Sequence, residues 1–212
     1  QYSARMPRSW SLSAKLGAIG GALLLMAFAS IGLTLWVTWQ LEGGAAAVNE
    51  AGRMRMQTWR MAQTLARADA QQIAGLAAQF DQSVSVLQTG DPARPLLVPH
   101  DALSQEAFAA VQRDWLALKE SWTALPGLGA ERSGQQADAF VARIDTFVSA
   151  IEHHLSRLTA ILNAVQFVMV ALTIGSAIAL LYSAYLFIFN PLFRLQAGLA
   201  RVEAGEDFGA VA

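Results

Sequence analysis

The chain has 212 residues, and its 15 Lys+Arg against 16 Asp+Glu give a formal net charge of −1 at pH 7. This balance gives no support to nucleic-acid binding, and 54% hydrophobic residues with only 15% charged residues exclude global disorder and indicate a membrane protein. The absence of cysteine excludes disulfides, thiolate nucleophiles and cysteine-ligated metals. The sequence begins at Gln1 and stops at Ala212 in mid-pattern, so we interpret it as a fragment of a longer protein.

Two long uncharged segments predict two membrane spans. Residues 16–41 carry no charged side chain, and as a helix they extend about 39 Å, enough for a hydrocarbon core of roughly 30 Å. A second uncharged segment lies between Arg157 and Arg194. We therefore predict transmembrane helices over residues 16–41 and 158–189. Their length argues against a cleaved signal peptide, and the presence of two argues against buried core helices.

The basic residues near the span ends predict the orientation. The N-terminal flank, residues 1–15, carries Arg5, Arg8 and Lys15 and no acid, whereas acids outnumber bases in residues 42–157. By the positive-inside rule both termini are cytoplasmic and residues 42–157 lie outside. We expect a bacterial inner (plasma) membrane, with residues 42–157 in the periplasm.

The segment 42–157 favours helix, because it is rich in Ala, Leu, Gln and Val. Glycine and proline interrupt it at residues 89–101 and 125–134. Helices are therefore predicted over residues 104–124 and 137–157, the second carrying apolar side chains at helical spacing.

Counting chain directions predicts four helices in this segment. The first span leads outward and the second must lead inward, so an even number of antiparallel helices is required. We therefore divide residues 43–88 near Arg67–Asp69, with Asp69 as a cap, and take Ser104 as the N-cap of the third helix. The predicted fold is all-α: an up-down-up-down four-helix bundle whose first and last helices continue into the spans.

Three arginines lie close together just after the first span. Arg53, Arg55 and Arg60 fall within eight residues. On a helix, the residues around these arginines form two neighbouring stripes. The first stripe contains Val48, Gly52, Arg55, Trp59 and Ala62. The second contains Ala51, Met54, Thr58, Met61 and Leu65. We predict that the second stripe faces the bundle core.

The first stripe predicts an anion site if the chain forms a parallel homodimer. Gly52 inside a helix costs roughly 1 kcal/mol relative to Ala, which a close approach of another backbone or a ligand would offset. Two facing Arg55 side chains would repel, and a small oxyanion held by their planar forks would relieve the repulsion. Gly52 and Arg53 would add a backbone N–H and positive potential. The bland interpretation is that these arginines only contact lipid or solvent.

The stretch AVNEAGRMRMQTWRM resembles the ligand-binding motif of nitrate/nitrite sensor histidine kinases of the NarX/NarQ type. The matching residues are Asn49, Ala51, Gly52, Arg55, Met56, Gln57 and Arg60. The resemblance implies that the Arg55 side chains of the two protomers together bind one nitrate, or less strongly one nitrite, at the dimer interface. The ligand-binding residues it predicts are Arg55, Gly52, Arg53, Asn49, Met56 and Trp59.

The segment after the second span resembles the start of a HAMP domain, the dimeric relay found below many receptor spans. Leu192, Leu195, Leu199 and Val202 repeat at the spacing of a coiled-coil seam, which gives a partial HAMP domain over residues 190–212. The kinase resemblance further implies a cognate response regulator that acts through absent C-terminal domains. We expect no catalytic residue, metal or cofactor in the fragment itself.

Two alternatives to the nitrate sensor remain. A weaker version of the motif occurs in type IV pili chemoreceptors, so the fragment is alternatively the sensor module of a methyl-accepting chemoreceptor. The other is a structural membrane protein without a ligand.

Overall fold

The structure, a computed structural model, describes residues 12–67, 69–91, 93–124, 129–186, 192, 193 and 196. These residues form four α-helices and no strand, which confirms the all-α fold class. The helices are α1 (Leu12–Ala66), α2 (Ala70–Thr89), α3 (Ala102–Ala124) and α4 (Ala130–Ala184).

The chain divides into two compact units. One combines Gln1–Ser30 with Ala164–Ala212, and none of its described apolar side chains is buried; Leu25, Phe167 and Leu181 are among the most exposed. α1 and α4 each contain an apolar stretch of 18 residues, with mean hydropathies of 2.1 and 2.2 respectively. No residue of either stretch is buried. These helices are long and apolar enough to cross a membrane, so the chain is a membrane-anchored protein with two candidate spans.

The other unit, Ile31–Asn163, is a bundle of four antiparallel helical segments. α2 and α3 run antiparallel, since Trp115 Nε1 donates to Asp81 Oδ1 at 2.8 Å and Gln112 Nε2 reaches Gln88 Oε1 at 3.4 Å. The same relation joins α3 to α4, since Trp122 Nε1 donates to Gln136 Oε1 at 2.7 Å and Arg143 Nε donates to Asp114 Oδ2 at 2.8 Å. This is the predicted up-down-up-down arrangement.

Aromatic rings fill the middle of the bundle. The rings of Phe80 and Trp115 have centroids 4.1 Å apart, and Phe140 lies 5.7 Å from Phe80. Phe108 and Phe147 form a second pair at 5.3 Å. Burying such large rings contributes strongly to the apolar stabilisation of the bundle.

Small residues of α1 allow two segments to approach it closely. Leu97, in the loop of residues 90–101, donates its backbone N–H to the Gly43 carbonyl at 3.2 Å. A Cβ added at Gly43 would lie 3.0 Å from Leu97 Cβ. A Cβ added at the next residue, Gly44, would lie 2.7 Å from both δ-carbons of Leu155 on α4. The absence of a Cβ at these two positions therefore allows both segments to approach the α1 backbone closely.

The predicted helix boundaries are partly confirmed. The break near residues 67–69 is correct, and Asp69 caps α2 by accepting from the Gln72 N–H at 3.0 Å. The N-cap expected at Ser104 is wrong: α3 begins at Ala102, and Asp101 accepts from the Ser104 N–H at 3.1 Å. α4 begins at Ala130, so Gly134 lies inside a helix although the sequence placed it in a loop.

Several expectations fall on residues that the structure does not describe. They concern nearly all of the cytoplasmic flank, residues 1–15, and the partial HAMP domain over residues 190–212, of which only residues 192, 193 and 196 are described. The coiled-coil seam predicted from Leu195, Leu199 and Val202 therefore lies outside the described residues.

Candidate functional site

The core-facing stripe of α1 is as the sequence predicts. Its five members, Ala51, Met54, Thr58, Met61 and Leu65, are all buried. The one polar member satisfies itself within the helix, since Thr58 Oγ1 donates to the Met54 carbonyl at 2.9 Å. The opposite side of α1 is consequently turned away from the bundle.

The outward side of α1 carries a stripe at alternating spacings of four and three residues. We call it the seam stripe, and its members are Ala45, Asn49, Gly52, Met56, Trp59 and Gln63. Met56 and Trp59 are 49% and 38% exposed, although both are large and apolar. Four of the predicted ligand-binding residues, Asn49, Gly52, Met56 and Trp59, thus lie together on one face.

Arg55 lies at the edge of the seam stripe and is already paired. Its Nη1 donates to Asp145 Oδ1 of α4 at 2.7 Å, and the two side chains are 39% and 50% exposed. A Cβ added at Gly52 would have only Arg55 Nη2, at 3.8 Å, as a neighbour within 4 Å. The close approach that would explain a glycine at this position is therefore not made by the residues that the structure describes.

Arg53 is not brought together with Arg55. Two residues apart on a helix, the side chains diverge by roughly 200°. Arg53 instead lies beside Glu50, with Nη1 and Oε1 3.8 Å apart, which is beyond hydrogen-bonding distance. Arg53 and Arg55, which are close together in the sequence, therefore lie in two different environments.

Glu50 is a buried carboxylate, with 2% of its side chain exposed. Arg94 from the loop of residues 90–101 donates to Glu50 Oε2 at 3.0 Å and, through Nε, to Asp91 Oδ2 at 2.8 Å. Hydrogen bonds to Asp91 and Glu50 raise the pKa of Arg94. Hydrogen bonds from the Ala93 N–H and from Arg94 lower the pKa of Asp91. The charges of Glu50, Arg94 and Asp91 form a network that ties the loop to α1.

Sequence reasoning missed Asp145, Glu50 and Arg94. Asp145 gives no signal, because it is separated from Arg55 by 90 residues. Glu50 does give one: it lies three residues after Ala47 and four before Met54, both fully buried, so helical spacing alone places it on the core side.

The described residues offer no group of three or more His, Asp or Glu side chains that could hold a metal ion. The candidate site is therefore one of arginines, carboxylates and amides. Such groups bind and orient a small polar ligand, and nothing in their arrangement provides a nucleophile with an adjacent base.

The family model for the N-terminal region of type IV pili methyl-accepting chemotaxis transducers, PilJ, matches residues 36–147, more than half of the chain. The match begins in α1 at Trp36 and runs through α2 and α3 into α4. Comparison with curated proteins finds no match.

This match corrects the expected identity. The resemblance to nitrate/nitrite sensor histidine kinases rested on fifteen residues of α1, whereas the transducer model covers most of the bundle. The predicted membership of the kinase family is therefore wrong. The predicted two-component nitrate-sensing function and the description of the chain as a nitrate sensor are wrong with it. The alternative drawn from the same motif, a chemoreceptor sensor module, is the one supported.

Proposed function

This chain belongs to the family of type IV pili methyl-accepting chemotaxis transducer N-terminal domains, and we propose that it is the ligand-sensing, membrane-anchored module of a chemoreceptor. The observation that carries the proposal is the extent of the family match, which includes the arginine-bearing part of α1 and all of α2 and α3. In this proposal residues 42–157 lie outside a bacterial inner membrane and both termini are cytoplasmic.

The module acts as a parallel homodimer joined through the seam stripe. Alternating spacings of three and four residues are those of a two-helix seam, and Ala45 and Gly52 leave room for a second backbone. Exposed Met56 and Trp59 supply apolar area on the same face. A second copy is the favoured occupant, because a face on one straight helix can pair with itself about a two-fold axis.

Arg55 then lies beside the dimer axis, and it is the residue that we assign to the ligand. Its guanidinium presents a planar fork of donors, which suits a small oxyanion. The ion pair with Asp145 sets the resting state, at an N–O distance of 2.7 Å. A ligand anion competes with Asp145 for Arg55, so binding loosens the connection of α1 to α4.

This exchange provides a signal, because the two connected helices are the candidate spans. A ligand shifts a two-state equilibrium only by its difference in affinity for the two states, and about 1.4 kcal/mol gives a tenfold shift. The Asp145 carboxylate sets this difference in affinity, because it holds Arg55 in the ligand-free state and releases Arg55 in the ligand-bound state. The four predicted neighbours, Gly52, Asn49, Met56 and Trp59, shape the seam in which the anion lies.

The dimer is tested by disulfide cross-linking in membranes, for which a chain without cysteine is a clean background. Met56→Cys and Trp59→Cys are expected to cross-link efficiently, because residues of a parallel seam meet their own counterparts. Ser85→Cys, on an exposed part of α2, is the matched control and is expected to remain without a cross-link. Equal cross-linking at all three positions would contradict the seam.

The ligand role is tested by the thermal stability of the chain in detergent with a panel of small oxyanions. Binding to the folded state stabilises it by about 2.7 kcal/mol at a hundred times Kd. Arg55→Gln abolishes the effect, whereas Arg60→Gln, on an exposed part of the same helix, leaves it. Asp145→Asn tightens binding up to about fivefold, because it removes the competing carboxylate of an exposed pair.

The chemoreceptor output is tested by joining residues 1–189 to the methylated cytoplasmic region of a well-studied chemoreceptor. An anion that stabilises the chain should change the kinase activity that the hybrid controls, and Arg55→Gln should remove the response. A hybrid that assembles and binds the anion but controls nothing would refute the proposed output.

A further inference from the structure

The contacts that the loop of residues 90–101 and α4 make with α1 lie at the predicted ends of both membrane spans. Leu97 of the loop donates to the Gly43 carbonyl at 3.2 Å, and Gly43 is two residues beyond the predicted end of the first span at residue 41. Leu155 of α4 packs at Gly44 and is three residues before the second predicted span begins at residue 158. Two separate span boundaries therefore place this part of the bundle at the surface of the bilayer.

The aromatic side chains at the end of the first span indicate the depth of the loop. Trp36 and Trp39 are 49% and 50% exposed, and tryptophan is enriched at membrane–water interfaces. Gly43 follows Trp39 by four residues, a rise of about 6 Å along a helix. The headgroup layer extends roughly 5–8 Å beyond each side of the hydrocarbon core. The loop residues that touch Gly43 are therefore at the depth of the headgroups.

The part of the loop at this depth exposes apolar surface. Apart from Arg94, residues 93–98 are all apolar. Two of these apolar residues are buried in the bundle, and the others are exposed or partly exposed: Ala93, Pro95 and Leu97. An apolar surface that the fold leaves uncovered is typical of a segment that contacts a partner or a membrane.

The polar groups of the same segment are already satisfied within the protein. Each backbone N–H from residue 93 to residue 97 donates to a protein oxygen, and Pro95 has no N–H to donate. The Arg94 guanidinium pairs with the carboxylates of Glu50 and Asp91. Backbone donors have to be satisfied internally where water is scarce, so this segment can contact lipid without losing hydrogen bonds.

From this arrangement we propose that the loop of residues 90–101 docks on the outer surface of the bilayer, with Ala93, Pro95 and Leu97 among the lipid headgroups. A lipid surface is the partner that fits, because the exposed residues are apolar and their depth coincides with the headgroup layer. A protein partner would have to reach this segment through the same layer. The inference rests on the membrane anchorage of the chain and uses neither Arg55 nor the chemoreceptor output.

The docked loop braces the base of α1. Leu97 holds the Gly43 carbonyl, and Arg94 holds Glu50, which is seven residues farther from the span. A loop that rests on the headgroups therefore restrains the tilt and the depth of α1 where this helix leaves the bilayer. Any movement of α1 that carries a signal has to shift this contact.

The test introduces single cysteines into a chain that has none, labels each with a fluorophore and reconstitutes the 212-residue chain in lipid nanodiscs. A fluorophore at Pro95→Cys or at Ala93→Cys should be quenched strongly by lipids that carry a nitroxide on the headgroup. Gln71→Cys is the matched control and should be quenched several-fold less, because it is exposed and lies about 27 Å along α2 from Thr89. Two loop positions keep the test decisive if one variant does not fold, and quenching no stronger in the loop than at Gln71→Cys overturns the proposal.

A charge substitution tests whether the loop binds the bilayer or is only held near it. In nanodiscs of phosphatidylglycerol, Ala93→Glu should make the contact about fivefold less favourable, the effect of one charge at an anionic surface. Headgroup quenching of the fluorophore at Pro95→Cys should fall accordingly, whereas Gln71→Glu should leave it unchanged. Quenching that does not respond to Ala93→Glu would show a loop that lies near the lipid without binding it, and this would overturn docking whatever the anion experiments show.

Discussion

The aromatic middle of the bundle and the glycine-bearing part of α1 are held together by different physics. Around Phe80, Trp115 and Phe140 the contacts are between large rings, and such contacts are strong but weakly directional. Around Gly43 the contacts are a backbone hydrogen bond, close packing against Leu97 and a nearby charged network. The first region supplies stability, and the second fixes the position of α1 relative to the loop.

The largest effect is expected in the aromatic region. Phe80 is fully buried between Trp115 and Phe140, so Phe80→Ala should lower the free energy of unfolding by about 3–5 kcal/mol. Denaturant unfolding followed by tryptophan fluorescence measures this. Leu116→Ala, at a position on α3 that is 66% exposed, is the control and should change stability by less than about 0.5 kcal/mol. Similar losses in both variants would show that the rings do not carry the stability.

The charged network should give the next largest effect. Arg94→Ala leaves Glu50 buried without its partner and should cost about 2 kcal/mol, less than a fully buried pair because Arg94 is 36% exposed. Adding Glu50→Gln should restore part of the loss, because the buried charge is then gone. A double-mutant cycle on unfolding free energies checks this coupling, and strict additivity would contradict it.

The glycine region should respond to a single methyl group. Gly43→Ala brings a Cβ to 3.0 Å from Leu97 Cβ, which cannot rotate away, so a net loss of about 1 kcal/mol is expected despite the better helix propensity of Ala. Gly75→Ala in α2 meets nothing within 4 Å and should stabilise by about 0.5–1 kcal/mol. Thermal unfolding measures both stability changes. A loss for Gly43→Ala with a gain for Gly75→Ala supports the role of close packing at Gly43, whereas a gain for both variants would contradict it.

The smallest effect concerns the start of α3. Burial alone would raise the pKa of Asp101, but hydrogen bonds from Ser104 and the nearby His154, at 3.2 Å, lower it below its ordinary 3.8. Because the folded-state pKa is depressed, this carboxylate stabilises the fold above about pH 4, and the contribution disappears as the pH falls through the folded-state value.

Asp101→Asn tests this, because Asn also caps helices and so removes the charge alone. The variant should lose about 0.5–1 kcal/mol at neutral pH and nothing near pH 2. A loss that is the same at both pH values would assign the effect to the cap rather than to the charge.

Sequence reasoning succeeded where the cause was local. The absence of charge over residues 16–41 predicts a helix that is long and apolar enough to cross a membrane, and Asp69 predicts a cap that is found three residues before the amide it binds. The core stripe of α1 follows from helical spacing alone. These predictions need no knowledge of which segments meet.

The candidate site was predicted less well, because it depends on contacts between distant segments. Arg55 meets Asp145 and Glu50 meets Arg94 only after the bundle has formed. Arg53 was grouped with Arg55 because it lies only two residues away in the sequence, although a helix turns the two side chains apart. The family was misassigned for a related reason: a short motif describes one helix face, and a match over residues 36–147 tests the whole bundle.

The hydrogen bond from Leu97 to Gly43 gives the molecule a built-in reporter of motion. Its amide can exchange with deuterated solvent only when the loop lifts away from α1. The Gly90 amide, seven residues earlier, is bonded to Val86 and exchanges when the end of α2 frays. The ratio of the Leu97 and Gly90 exchange rates therefore separates release of the loop from fraying of α2. It measures, at single-residue resolution, how often the loop releases α1.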